Sequence, residues 1–396
     1  MRIIELFAGI GACSVALKRL GIDLEIVDAV EIDKYAMASF NAIHNTNFET
    51  QDITTWNKNF RDIDLITHGS PCQDFSVAGK QAGGDIGSGT RSSLMYETIR
   101  IVGQIRPKYV LWENVKNILS AKHKHNFDAY IDTMNVLGYK SYYQVLNVKD
   151  YGIPQNRERV YTISIRKDIN KGNFKFPDKE ELKLRLKDML EDEVDEKYYL
   201  SNKAMEGLKR QEELKHKPNF IENKEIVNTI DTKVGDGTHF SPYLREVGKL
   251  DIKGQDCIKR VYSQEGISPT LTDMQGGNRQ PKIMINKGTK KGYDEAIDGD
   301  SINLSYPDSK TRRGRVGHQV SQTIQCNDLM GCVDNLRIRK LTPKECWRLM
   351  GFSDKDFEKA QNIPTSNTQL YKQAGNSIVV NVLEKIFKNL FLEEYK

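Results

Sequence analysis

The sequence predicts an α/β fold with a second, smaller strand-and-loop domain. Three observations carry this. The first 165 residues alternate apolar β-like runs with amphipathic stretches, at the spacing of strand–helix–strand units. From about 217 to 336 the texture shifts to Gly, Asn, Thr, Asp and Pro with short β-like runs. The last stretch, Asn376 to Lys396, returns to a helical period, with Val379, Leu383, Ile386 and Leu390 on one face. A chain of 396 residues has room for two or three domains, or for one large core with an insertion.

The strands are expected at 2–7, 24–31, 64–68, 109–113, 141–147 and 160–166. Cys13, Ala16, Leu17 and Leu20 fall at helical spacing and stop at Gly21, a natural helix terminator. Met95, Ile99 and Val102 repeat the pattern until Pro107 ends it. Phe127, Ile131, Met134 and Leu137 form a third helix, closed by Gly138. Residues 179–216 are dense in charge of both signs and read as a solvated helical connector. No internal repeat is present.

Composition removes several classes of function. Hydrophobic residues make up 38%, enough for a sizeable core, so wholesale disorder is excluded. Fifty-nine basic against 54 acidic residues leave only +5, so an anionic partner requires clustered charge. The cluster is in the middle region: Lys287, Lys290, Lys291, Lys310, Arg312, Arg313 and Arg315. No run approaches the ~18 apolar residues of a membrane helix. The N-terminus enters a strand at once, without a secretory pattern. The cysteines, Cys13, Cys72, Cys257, Cys326, Cys332 and Cys346, form no C-x-x-C pair. A disulfide framework or zinc knuckle is therefore not expected, and a reducing, cytoplasmic setting is.

Four motifs could carry chemistry. Phe7-Ala8-Gly9-Ile10-Gly11 follows the first strand and opens a helix, where glycine lets a ligand approach the backbone. A dinucleotide fingerprint would place glycine where Ser14 stands, so pyrophosphate binding is not expected. Glu31 ends the second strand, where a carboxylate can accept from both ribose hydroxyls. Together they suggest a nucleoside without a pyrophosphate; a tight strand–helix turn beside a surface acid fits equally well. Gly69-Ser70-Pro71-Cys72-Gln73 follows an apolar strand, at the sheet edge where ligands of open α/β folds bind. Cys13 and Cys346 fit the ordinary buried role of cysteine; Cys72, among polar neighbours, does not. The Gly-rich stretch from Asp74 to Ser93 reads as a lid or a plain surface loop. Glu113 follows Val110, Leu111 and Trp112, a half-buried acid able to donate to a ring nitrogen or to serve structurally. Arg157 and Arg159, two apart in an extended segment, share one face and could hold a carbonyl, a phosphate or carboxylates.

In this order, and followed by Arg339-Lys340-Leu341-Thr342-Pro343-Lys344-Glu345-Cys346-Trp347-Arg348-Leu349-Met350-Gly351-Phe352 and Gln373-Ala374-Gly375-Asn376-Ser377, the set strongly resembles the cytosine-C5 DNA methyltransferases of bacteria and phages. The likeness covers about 1–167 and 337–396. It implies a Rossmann-like, S-adenosylmethionine-dependent catalytic domain at 1–167 and a connector with a target-recognition domain at 168–338. The return segment, 339–396, would pack its last helix on the catalytic domain. By motif position the cofactor is held by Phe7, Gly9, Ile10, Gly11, Glu31, Ile32, Asp52, Ile53, Pro71, Leu94, Asn376, Ser377 and Ile378. Ile32 stands where the family often has Trp, so an aliphatic contact replaces an aromatic one. Cys72 is implied as the nucleophile, Glu113 as the group on N3, Arg159 as the group on O2, and Arg157 as support. The DNA contacts implied are Gln73, Ser76, Lys80, Thr270, Arg312, Arg313, Arg315 and Thr323. Two segments resemble the recognition core, Ser268-Pro269-Thr270-Leu271 and Ser321-Gln322-Thr323-Ile324. The partner would be double-stranded DNA, bound by a monomer without a metal.

The rivals are weaker. A zinc deaminase needs P-C-x-x-C, and no second cysteine follows Pro71-Cys72 at that spacing. A nicotinamide dehydrogenase is opposed by Ser14. A non-catalytic binding module would not need Cys72, Glu113 and Arg159 together. Methylation of cytosine in transfer RNA is the near alternative; the long middle region favours duplex DNA.

Overall fold

The computed structural model describes residues 1–71, 91–199, 246–249, 260–262, 283–286, 293–305, 314–324, 330–334 and 337–392. The chain divides into two compact units. The first comprises Met1–Leu184, Thr323–Asn327 and Pro343–Lys396. The second comprises Arg185–Gln322 and Asp328–Thr342.

The first unit is built on six strands: β1 (Arg2–Leu6), β2 (Glu25–Val30), β3 (Leu65–His68), β4 (Tyr109–Val115), β5 (Tyr139–Asn147) and β6 (Glu158–Arg166). They lie in the order β2-β1-β3-β4-β6-β5. The first four run parallel. The last strand does not continue the parallel pattern expected from the spacing: β6 is antiparallel to both β4 and β5. The reason is the short link 148–157, which holds only a 3-10 turn at Val148–Tyr151 and a two-residue strand. A parallel return needs a crossover of about a dozen residues or more, usually a helix. Ile4, Leu6, Ile66, Val110 and Trp112 form the buried layer beneath the sheet edge.

Helices α1 (Ala12–Arg19), α2 (Lys34–His44), α3 (Met95–Ile105) and α4 (Lys124–Val136) connect the strands. Gly21 and Gly138 end their helices with φ of 73° and 82°, conformations that favour glycine. The return segment supplies α5 (Pro343–Leu349), α6 (Asp354–Gln361), α7 (Asn367–Asn376) and α8 (Val380–Phe391). Val379, Leu383, Ile386 and Leu390 are buried, and α8 packs against α1. Among the described residues no helix is long and apolar enough to cross a membrane.

The second unit holds a four-stranded antiparallel sheet: Val316–Gly317, Ser301–Asn303, Met330–Asp334 and Arg337–Lys340, in that order. Ile285, Ala296, Ile302, Leu304 and Val333 form its core. The connector departs from the helix expected. Over 179–199 the described backbone holds no α-helix, but two 3-10 turns, Leu186–Met189 and Glu196–Tyr198, and one β-bridge from Tyr199 to Arg339. Leu182, Leu184 and Leu186 alternate with charged residues, a period of two that gives a helix no apolar stripe.

Candidate active site

The glycine turn leaves β1 with three residues at positive φ: Phe7 at 52°, Gly9 at 55° and Gly11 at 80°. The two glycines serve different ends. A Cβ on Gly11 would lie 2.0 Å from His44 Nε2, so this position exists for packing. A Cβ on Gly9 would meet nothing within 4 Å, so this position faces open space. The Gly9 amide donates to Glu31 Oε2 at 3.0 Å, and the Asp33 amide donates to Glu31 Oε1 at 2.8 Å. Burial pushes the Glu31 carboxyl up, against those hydrogen bonds. Ile32, beside it, is 69% exposed. Asp33 then caps α2, accepting from the amides of Tyr35 and Ala36.

The same edge gathers further residues. The loop carrying Asp52 and Ile53 is fastened by buried Asp28, which accepts from Trp56 Nε1 at 2.9 Å and Gln51 Nε2 at 2.8 Å. Ile53 lies in the core beneath; exposed Asp52 accepts from the Thr54 amide at 2.9 Å. Leu94 and Phe7 pack partly buried on that core, and Ile10 is buried. After α7, Asn376 is exposed, Ser377 is buried, and the Ile378 side chain approaches Gly69. An open glycine, a carboxylate at a strand end, and an exposed aliphatic side chain make a cradle that fits a nucleoside.

Beside it stands the acid. β3 ends in His68, and Gly69-Ser70-Pro71 follow. Glu113 projects from β4 with Oε2 3.8 Å from the point where a Cβ on Gly69 would sit. In the antiparallel register Arg159 is opposite Val115, one diagonal step from Glu113. Its Nε reaches Glu113 Oε1 at 3.1 Å, with both side chains largely buried. The contact is off hydrogen-bond alignment, so Oε1 keeps an acceptor position. Cys72, the residue after Pro71, lies outside the described residues, as do Gln73, Ser76, Lys80, Thr270, Arg312 and Arg313. Most of the lid stretch does too; Arg91–Leu94 forms a 3-10 turn.

The two arginines part company. Arg157 is buried and donates to the carbonyl oxygens of Ile324 at 3.0 Å and Ser377 at 2.9 Å, with Gly375 O at 3.5 Å. It is a positioning residue that binds the return segment to the start of β6. Gln155, within the same motif but not singled out, does similar work: Nε2 donates to Leu349 O at 2.7 Å, and Oε1 accepts from the Ile324 amide at 3.2 Å. Arg157→Met should leave these carbonyls unsatisfied. We expect a loss of roughly 3–5 kcal/mol of stability, read as a fall in the denaturation midpoint.

Ser70 carries no motif signal of its own, yet its buried Oγ accepts from Trp112 Nε1 at 3.1 Å. His68 stacks on Trp112 with ring centroids 5.7 Å apart, and burial pushes its imidazole down to about 3, so it stays neutral. These contacts fix the strand end that leads to Cys72.

Two expected DNA contacts need correction or relocation. Arg315 is fully buried within the second unit, with Nη1 on the carbonyl oxygens of Asn303 at 3.4 Å and Ser305 at 3.3 Å. A guanidinium held inside a small sheet is not available to a phosphate. Arg315→Met should therefore lower the melting temperature of the protein while leaving the salt dependence of DNA binding unchanged. Thr323 belongs to the first unit, where its hydroxyl donates to Asn156 O at 3.0 Å.

Comparison with known proteins agrees with this geometry. The C-5 cytosine-specific DNA methylase family matches residues 1–392. Orphan methyltransferase M.SPBetaI of Bacillus phage SPbeta is 36% identical, over 98% of this chain and 97% of its own. Type II methyltransferase M.HhaI of Haemophilus parahaemolyticus is 34% identical, over 98% of this chain and 94% of its own. In fold the chain is similar to the S. pombe Dnmt2 methyltransferase, with a TM-score of 0.55 at 18% identity, over 100% of this chain and 99% of the other. A chain matched end to end by this family, with Glu113 and Arg159 paired beside the segment leading to Cys72, belongs to the C-5 cytosine-specific DNA methylases, the DNA cytosine-5 methyltransferases.

Proposed function

We propose that the protein transfers a methyl group from S-adenosylmethionine to C5 of a cytosine within a short specific sequence of double-stranded DNA. The observation that carries this reading is the single sheet edge shared by the open Gly9–Glu31 cradle and the Glu113–Arg159 pair. Glu31 would receive the ribose hydroxyls, Ile32 and Ile53 would flank the adenine, and Gly9 would allow close approach. The sulfonium of the bound cofactor supplies an electrophilic methyl group.

The residues of the chain do the rest. Cytosine C5 is too weak a nucleophile unaided. The Cys72 thiolate adds to C6, and the displaced electron pair makes C5 an enamine carbon. Glu113 donates to N3 as charge enters the ring, and Arg159 holds the base at O2. C5 takes the methyl group; loss of the C5 proton to a base then restores the double bond and expels Cys72. S-adenosylhomocysteine is the other product.

The ring atoms are inaccessible in a stacked duplex, so the target base must be flipped out, at a cost of about a few kcal/mol. The lid stretch with Ser76 and Lys80 would hold the flipped nucleotide. The second unit would read base edges, with Arg312, Arg313 and Thr270 among its contacts. The setting would be a bacterial cytoplasm, in a restriction–modification or phage protection role.

The test is incubation with tritium-labelled S-adenosylmethionine and either plasmid DNA or transfer RNA, followed by bisulfite sequencing. Label in DNA, with protected cytosines in one short context, is the expected result. Label in transfer RNA alone would overturn the DNA reading.

A further inference from the structure

Beneath the glycine turn lies a group that the chemistry above does not use. Glu5, on β1, is 2% exposed. It faces the first turn of α1, whose N-cap is Gly11 and therefore has no side chain to cap it. The Glu5 carboxyl fills that role from inside the protein. Oε1 accepts from the Ser14 amide at 3.2 Å and also from the Ser14 hydroxyl. Ser14 thus has a purpose unrelated to a dinucleotide fingerprint.

We propose that Glu5, acting through Ser14, positions the glycine turn and makes its hold on the cofactor depend on pH. The inference rests on the S-adenosylmethionine reading. Glu5 pairs in the sheet with Ala29 and Thr67, neither of which carries charge. The charged and titratable groups around it are few. Lys18 on α1 acts on it from a distance, and Lys18 Nζ is itself 3.1 Å from His44 Nδ1. Asp356 and Lys359 act on Lys18 in turn. The Cys13 thiol feels both Glu5 and Glu113, and is pushed up by burial first and then by Glu5. Burial pushes the Glu5 carboxyl from 4.5 up to about 7, against the Ser14 hydrogen bonds. Above that pH an ionised carboxylate grips the helix start through charge-assisted bonds, which are roughly twice as strong as neutral ones.

The sign of the effect separates positioning from mere structure. An acid whose folded value is raised holds its proton in the fold after the unfolded chain has released it. Its contribution to stability is therefore lost as pH rises from 4.5 to about 7. Cofactor affinity should move the opposite way and rise as pH passes through about 7, where the folded carboxyl ionises.

Calorimetric titration of the intact protein and of Glu5→Gln with S-adenosylmethionine, from about pH 6 to about pH 8.5, decides the matter. The ligand's own amino group and Glu31 titrate in both proteins, so the readout is the ratio of the two affinities. The ratio of wild-type to variant affinity should rise about fivefold across the range, the difference between one charge-assisted hydrogen bond and one neutral one. A flat ratio would overturn the inference and leave the cofactor reading intact. No binding by the wild type at any pH would sink the cofactor reading, and the inference with it. If Glu5→Gln does not fold, Ser14→Ala serves. It removes one donor to the carboxylate, so the midpoint of the affinity profile should shift to higher pH, and an unmoved midpoint counts against the proposal.

Discussion

Cys72→Ser is expected to abolish methyl transfer, lowering the rate by roughly 10⁴ or more, with folding and S-adenosylmethionine affinity retained. The step that needs sulfur is addition to C6. A serine hydroxyl has almost no anion near neutral pH, and the proposed mechanism provides no base to deprotonate it. No other described thiol can substitute. Cys13, Cys332 and Cys346 are all buried, and burial pushes the thiols of Cys13 and Cys346 well up. Single-turnover assays with tritium-labelled cofactor would measure the loss, and calorimetry would check that cofactor still binds. A variant that methylated DNA at the normal rate would refute covalent catalysis by Cys72.

Much of this site was legible in the sequence because the chemistry sits where strands end. Glycine at positions 9 and 11 and Glu31 follow such ends, Glu113 lies two residues before one, and short apolar runs mark strands well. The helix terminators Gly21 and Gly138 were equally plain, since each adopts a positive φ that other residues resist. What stayed hidden were roles that depend on long-range packing. Arg157 and Arg159 look alike in sequence, yet one is held by carbonyl oxygens brought from residues 324, 375 and 377 and the other pairs with Glu113. Arg315 stands close to Arg312 and Arg313 in a basic cluster, and nothing local reveals that its own side chain turns inward. Ser70 and Glu5 escaped for the same reason: a small polar residue and a strand acid acquire meaning only from Trp112 and Ser14 across the fold. The reversal of β6 was missed because apolar periodicity carries no direction. Only the shortness of the 148–157 link bears on it.

Glu113→Gln is expected to lower kcat by roughly 10²–10³ while DNA affinity changes by less than about threefold. Glutamine keeps the shape of the side chain and an oxygen that can face Arg159. What it removes is the acid proton that glutamate would share with N3 as thiolate attack drives charge into the ring. That interaction strengthens only along the reaction, so its loss should appear in kcat and not in ground-state binding. The ion pair with Arg159 offers a competing account, in which Glu113 merely holds the arginine in place. The two accounts separate on a second variant. Arg159→Lys keeps a positive charge but loses the planar fork that could hold both Glu113 and a ring oxygen. If Glu113 acts on the base, Glu113→Gln should remain impaired whichever residue stands at 159, and Arg159→Lys should mainly raise the KM for DNA. If Glu113 only orients the arginine, the double variant should be no slower than Arg159→Lys alone. A double-mutant cycle on kcat, measured with a single hemimethylated or unmethylated duplex, therefore reads whether the acid near the end of β4 reaches the cytosine directly or through its neighbour.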